Sequence, residues 1–346
     1  MKNFSNYFKK RALKDPFGSL DYADLEKRLQ RFFFIFQYIL ICVIVHNRCN
    51  QRFLDFFRNL KKEKWAVLLL SWVFLLPSAL VYAGSIKDVS QSVKEVQSVE
   101  PPFRFAVVGD NRDGEKVYNQ LMRAIVERKP NFLIHLGDMI PYPHEREWQA
   151  FFEISKQINF PFFPVVGNHD VGTTKRGVEI YREQFFLPGG KTYYAFRAGG
   201  ILFVVLDSEE GKRRIIEEQR SWLEDTLSSS QETFKFVFLH APLFPPKNSL
   251  KKGNALDKYP RERDDLHRLF VKTKVKAVFA GDDHRYDRTE KDGIPYLISG
   301  GGGAPLAAFE ESGGYFHYLW ISVQKERVEG EVVDLEGQVQ DRFVIE

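Results

Sequence analysis

Cysteine is almost missing: of 346 residues only Cys42 and Cys49 carry a thiol. Everything after residue 50 can therefore form no disulfide and offers no thiolate, so any cation bound there must be held by nitrogen and oxygen donors. A positive surplus is missing from the same part. Residues 1–83 contain 14 Lys and Arg against 6 Asp and Glu, which leaves residues 84–346 with a net charge of −4. A groove for nucleic acid needs the opposite sign, so no nucleic-acid partner is expected and a nuclease is disfavoured. Long apolar runs are scarce too. Only Trp65–Ala83, at 19 residues, approaches the roughly 20 that a spanning helix needs.

What is present is apolar enough for a large core, since 44% of residues are hydrophobic and 15% aromatic. That excludes disorder as the default state and suits one large domain with appendages. Residues 1–64 form a basic extension containing a short apolar segment, 32–45, that reads as interfacial or marginally spanning. Residues 65–83 follow "KKEK" and end in the small-residue pattern "VYA", which fits either a cleaved secretory signal or an uncleaved anchor. Positive charge upstream predicts that this flank stays cytoplasmic and that the rest is exported, to a periplasmic or extracellular face. The position of such a signal so far into the chain also fits an upstream extension ahead of the true start. Residues 84–102 are polar, end in a proline pair and read as a linker.

From Phe103 to Glu346 short β-forming runs alternate with helical stretches. "FRFAVVG" precedes "EKVYNQLMRAIVERK", "NFLIHLG" precedes "EREWQAFFEISKQI", and "KFVFLHAP" and "VKAVFAGDDH" follow later. Such alternation predicts a layered α/β domain. Three closing runs, Tyr315–Val323, Arg327–Asp334 and Arg342–Ile345, point to a second, mixed or antiparallel sheet.

Polar residues collect where these strands end: Asp110 and Arg112, then Asp138, then Asn168, His169 and Asp170, then His240, then Asp282, Asp283 and His284. Ligands gather at the carboxyl ends of strands in such sheets. One Asp after a glycine is ordinary turn chemistry. Five loops that each close an apolar strand with a metal-competent donor are a pattern, and oxygen plus imidazole donors suit hard or borderline cations.

"GDNR" (Gly109–Arg112), "GDMIPY" (Gly137–Tyr142), "GNHD" (Gly167–Asp170), "FLHAPL" (Phe238–Leu243) and "GDDH" (Gly281–His284) resemble, in this order, the motifs of calcineurin-like metallophosphoesterases, with a flavour of the purple acid phosphatase branch. The resemblance implies a four-layer sandwich of two mixed sheets flanked by helices. It also implies two divalent or trivalent ions (Mn, Fe, Mg or Zn) and hydrolysis of phosphomonoesters or phosphodiesters by a metal-bound hydroxide. Asp138 would bridge the ions, Asp110 and His284 would hold the first, and Asn168, His240 and Asp282 the second. His169 would contact phosphoryl oxygens or protonate the leaving group, with Asp170 orienting its ring.

Two positions depart from the pattern. Arg112 stands where a histidine is usual and has no lone pair for a metal; it reads as a phosphate contact or as an ion pair with Asp113 or Asp283. Asp282 replaces the first histidine of the last motif. Tyr142 is a weak substitute ligand, and Asp283 reads as a solvated or arginine-paired residue. The lysine-rich stretch Phe244–Asp265 lacks an apolar period and reads as a long loop. "SGGGGAPL" (Ser299–Leu306) lacks the lysine of a nucleotide-binding loop and reads as a close-packed turn near the metals. The expected substrate is a phosphorylated small molecule or a lipid-linked phosphate, with the membrane as a partner through the N-terminal region. The competing expectation is a phospho-ligand binder that has lost turnover through the changes at Arg112 and Asp282.

Overall fold

A computed structural model describes residues 86–210, 212–246 and 255–346. The extension 1–64, the apolar segments 32–45 and 65–83 and both cysteines lie outside these residues. Among the described residues no helix is long and apolar enough to cross a membrane.

The architecture follows from the period of the apolar residues. In β5 (Ile201–Val205), β6 (Phe234–Leu239) and β7 (Ala277–Ala280) nearly every side chain is buried, so both faces of the sheet must be covered. Phe203, Phe236, Phe238 and Phe279 point to one face and Leu202, Val204, Val237, Leu239 and Val278 to the other, as a period of two demands. The second set packs against Leu223 and Leu227 of helix α6 (Glu217–Ser229) and Leu266, Leu269 and Phe270 of α7 (Pro260–Lys272). The phenylalanine face meets another sheet.

That facing sheet is built around β1 (Phe103–Val108), β2 (Phe132–His135) and β3 (Phe162–Pro164), which run parallel. Phe105 meets Phe203 edge-on with ring centroids 5.4 Å apart, and Phe163 of β3 stacks on Phe196 of β4 (Tyr194–Ala198) at 3.8 Å. Its outer face is covered by α2 (Glu115–Glu127), which buries Tyr118, Leu121, Met122 and Ile125, and by α3 (Glu145–Ile154), which buries Trp148 and Phe151. The result is the expected four-layer sandwich of two mixed sheets flanked by helices.

The strands β8 (Tyr286–Lys291) and β9 (Ile294–Ser299) complete the second sheet in the order β4-β5-β6-β7-β9-β8. The closing strands, expected in a separate sheet, instead extend the first one. β10 (His317–Val323) pairs antiparallel with β1, placing Trp320 opposite Ala106, and β11 (Val328–Asp334) and β12 (Val339–Ile345) continue the meander outward. Parallel pairing with β2 uses one edge of β1 and leaves the other open, and β10 satisfies it.

The expected linker 84–102 is also corrected. Residues Val89–Val96 form helix α1, capped by the Asp88 carboxylate, which accepts the Gln91 N–H at 2.8 Å. Val89 and Val96 are fully buried, and the Ser92 hydroxyl accepts the Phe162 N–H at the free edge of β3. Its polar composition hid a seven-residue apolar spacing. The stretch after Phe244 is shorter as a loop than expected, because Pro260 starts α7 at a position where a missing N–H costs nothing.

Candidate metal centre

Three of the five chemistry-bearing strand ends are built in the same way. Asp110, Asp138 and Asp282 all have positive φ, of 61°, 54° and 65°. Aspartate tolerates this left-handed region better than most side chains, and the turn lets the carboxylate fold back over its own strand end. The turn reading and the functional reading of these residues therefore coincide. Glycines make the approach possible: a Cβ on Gly281 would lie 2.5 Å from Asp110 Oδ2, and one on Gly167 would lie 2.4 Å from Asp138 Oδ1.

Three of the expected ligands, Asp110, Asp138 and His284, present donor atoms within 4.8 Å of one another, all from buried residues. The imidazoles are set for a cation. His284 Nδ1–H donates to the Pro305 carbonyl at 2.7 Å, which fixes the tautomer and turns the Nε2 lone pair toward Asp110 Oδ1, 3.7 Å away. His240 repeats the device with Leu136 as acceptor, at 2.8 Å. The donor set, burial and tautomers fit a hard or borderline metal ion. Ser299–Leu306 closes against the cluster as expected: the Ala304 N–H donates to the Asp110 carbonyl, and Gly302 N–H to that of Gly109.

The second expected set also converges. His240 Nε2 lies 3.2 Å from Asn168 Oδ1, 3.3 Å from Asp138 Oδ1 and 3.4 Å from Asp282 Oδ1. Burial alone would lower the pKa of His240, but the charges of Asp138, Asp110 and Asp282 outweigh it and raise it well above the usual value. Such a concentration of buried negative charge requires positive charge nearby.

His169 stands at the rim of the cluster, its side chain 28% exposed and its Nε2 4.0 Å from Asp138 Oδ2. Its ring is oriented by the Pro141 carbonyl, which accepts Nδ1–H at 2.7 Å. The expected partner, Asp170, does something else. Its carboxylate accepts the N–H groups of Asp138, Met139 and Gly167 at 3.0, 2.8 and 2.9 Å. It is a loop anchor behind the site rather than a catalytic group.

Arg112 forms the ion pair with Asp113 that stood as the alternative to a phosphate contact, at 2.8 Å, and its Nε also approaches Asp138 Oδ2 at 3.4 Å. Asp283 is buried and paired with Arg285. Tyr142 is largely exposed, its ring beside that of His144.

Arg213 was not foreseen. It sits between two expected ligands, with Nη2 2.9 Å from Asn168 Oδ1 and 3.0 Å from Asp282 Oδ1, while Nη1 reaches Glu209 Oε1 at 3.3 Å. The Glu209 side chain is only 7% exposed, and this burial pushes its carboxyl up against the opposing pull of Arg213. The segment "EEGKRR" carries no period or motif that marks either residue. Contacts 45 and 69 residues apart in sequence bring Arg213 here.

The comparisons agree with this geometry. The chain is similar to the serine/threonine-protein phosphatase CPPED1 of Danio rerio, with 31% identity over 220 residues, 57% of this chain and 69% of that protein. It is also similar to a probable inactive purple acid phosphatase 1 of Arabidopsis thaliana, with 25% identity over 67% of this chain and 46% of that protein. Among solved structures, purple acid phosphatase PPD1 from yellow lupin seeds shares the fold at a TM-score of 0.61 and 20% identity, covering 72% of this chain and 54% of that one. The model of the Calcineurin-like phosphoesterase family matches residues 103–286, more than half of the sequence, and the chain belongs to that family.

Proposed function

We propose that this protein hydrolyses phosphomonoesters at a centre of two positive charges. One is a metal ion held by Asp110, Asp138 and His284, and the other lies beside Asn168, His240 and Asp282. The observation that carries this reading is the convergence of Asp110, Asp138 and His284 from three separate strand ends, with the His284 tautomer fixed so that its lone pair faces inward. A bound cation would polarise phosphoryl oxygens and acidify water near neutral pH. His169, fixed through Nδ1, holds Nε2 at the open side of Asp138, where it serves as proton donor to the departing alkoxide.

A cavity of about 440 Å³ begins beside this point and is lined by Arg112, Lys116, Met139, Pro141 and Glu147. Its size suits the organic part of a small phosphorylated substrate, a lipid-linked phosphate included. The apolar segment 65–83 supports placing the reaction on the exported side of a membrane, which protease protection of the full chain in sealed vesicles would check.

The deciding experiment measures hydrolysis of p-nitrophenyl phosphate and bis-p-nitrophenyl phosphate by the metal-loaded full chain and by Asp138→Asn. Turnover that disappears together with bound metal in the variant supports the reading. Undiminished turnover in the variant removes it. Orthophosphate binding without turnover in the wild type would make the protein a phospho-ligand binder instead.

A further inference from the structure

The second cation position already contains a cation. We propose that the Arg213 guanidinium is a permanent substitute for the second metal ion, so that the site takes up one ion per chain, at Asp110, Asp138 and His284. The inference rests on the phosphoesterase reading of the site and gives the identity of its second charge.

Three observations meet at Arg213. A single atom, Nη2, contacts both Asn168 Oδ1 and Asp282 Oδ1, at 2.9 and 3.0 Å, and these oxygens are two of the ligands a second ion would need. A metal bound to them would lie about 2.0–2.2 Å from each, in the volume that this nitrogen fills. The side chain is only 14% exposed and its other terminal nitrogen is held by the carboxylate of Glu209. Withdrawal of the arginine to admit a metal would take this ion pair from a carboxylate only 7% exposed and leave it the Ser208 hydroxyl at 2.7 Å. Finally, the acidic residue that replaces a histidine in the last motif, Asp282, is the one that pairs with Arg213. An imidazole there would favour a metal over a guanidinium, whereas a carboxylate accepts either. The departure from the family pattern and the intruding arginine therefore explain each other.

The backbone is consistent with a fixed placement. Lys212 and Arg213 have φ of 54° and 72°, an unfavourable pair for residues with side chains, and Arg213 N–H donates to the Ser208 carbonyl at 2.7 Å. Chemically the substitution retains function. A guanidinium carries five N–H donors, of which three are used by Asn168, Asp282 and Glu209, and two remain for phosphoryl oxygens.

The test is metal stoichiometry rather than rate. The full chain, stripped and reloaded with excess Mn²⁺, is desalted and analysed by elemental mass spectrometry and by electron paramagnetic resonance. One manganese per chain with the spectrum of an isolated ion is expected for the wild type. Arg213→Ala should take up two, with the spectrum of a coupled pair, and Arg213→Lys should remain at one. Two ions in the wild type, or one in Arg213→Ala, would overturn the proposal. Should Arg213→Ala fail to fold, the wild-type stoichiometry and spectrum decide alone. Turnover by a wild type holding two ions would sink this inference and spare the phosphoesterase reading. One ion without turnover would do the reverse.

Discussion

The Asp170 carboxylate accepts the backbone N–H of Asp138 at 3.0 Å, so the carboxylate at the centre of the cluster is positioned by one that never faces it. Asp170→Asn would turn an amide NH₂ toward N–H groups that now find an acceptor. A lost buried acceptor costs about 1–3 kcal/mol, and the expected outcome is a stability loss of that order together with weaker metal retention. Urea unfolding and metal analysis of the variant check both, and an unchanged midpoint would return Asp170 to a passive role.

His169 donates Nδ1–H to Pro141, and it touches the Asp110–Asp138–His284 set only at Asp138, through its backbone N–H at 2.8 Å and with Nε2 4.0 Å from Oδ2. His169→Ala should lower the rate with p-nitrophenyl phosphate by roughly 10²–10⁴, the usual size of a lost proton donor, while metal content stays at the wild-type level. Loss of metal alongside rate would show that it is a ligand instead.

Gly281 is required by space rather than by φ. An added methyl group would meet Asp110 Oδ2 at 2.5 Å and His240 Nδ1 at 3.3 Å. Gly281→Ala is therefore expected to displace Asp110 and to lower metal affinity far more than stability. Titration with Mn²⁺ against thermal unfolding separates the two, and equal affinity in variant and wild type would contradict the packing.

Acid should destabilise the fold through buried neutral histidines. Burial pushes His317 down to about 4, against the pull of the Tyr315 carbonyl, and burial pushes His135 down to about 3. Above the ordinary histidine value near 6.5 neither state is protonated and there is no penalty. As pH falls below it, the unfolded chain binds protons that the folded chain refuses, so stability declines until the folded values are reached. At pH 5 the cost is roughly 2 kcal/mol for each histidine. Urea midpoints at pH 7 and pH 5 should differ accordingly, and His317→Phe should shrink the difference; an identical drop in both proteins would exclude His317 as a source.

Much of this molecule was legible in short segments. The period-two phenylalanines of "FKFVFL" specify a strand with two covered faces, and a glycine followed by Asp at the end of such a strand specifies a sharp turn that lifts a donor above the sheet. These are local consequences of side-chain spacing and of what aspartate and glycine allow the backbone to do, so residues and loops could be named in advance. Other features depended on which partners distant segments met. Val89 and Val96 are two apolar residues in a polar stretch until the edge of β3 gives them something to cover. The strand at His317–Val323 joins the first sheet because β1 has an edge to fill. Asp170 is an anchor because three N–H groups point at it, not because of its neighbour His169. Above all, no pattern in "EEGKRR" announces that Arg213 will stand among Asn168, Asp282 and Glu209. Charges of opposite sign attract without regard to sequence spacing, and only the folded chain decides which of them are brought out of water together.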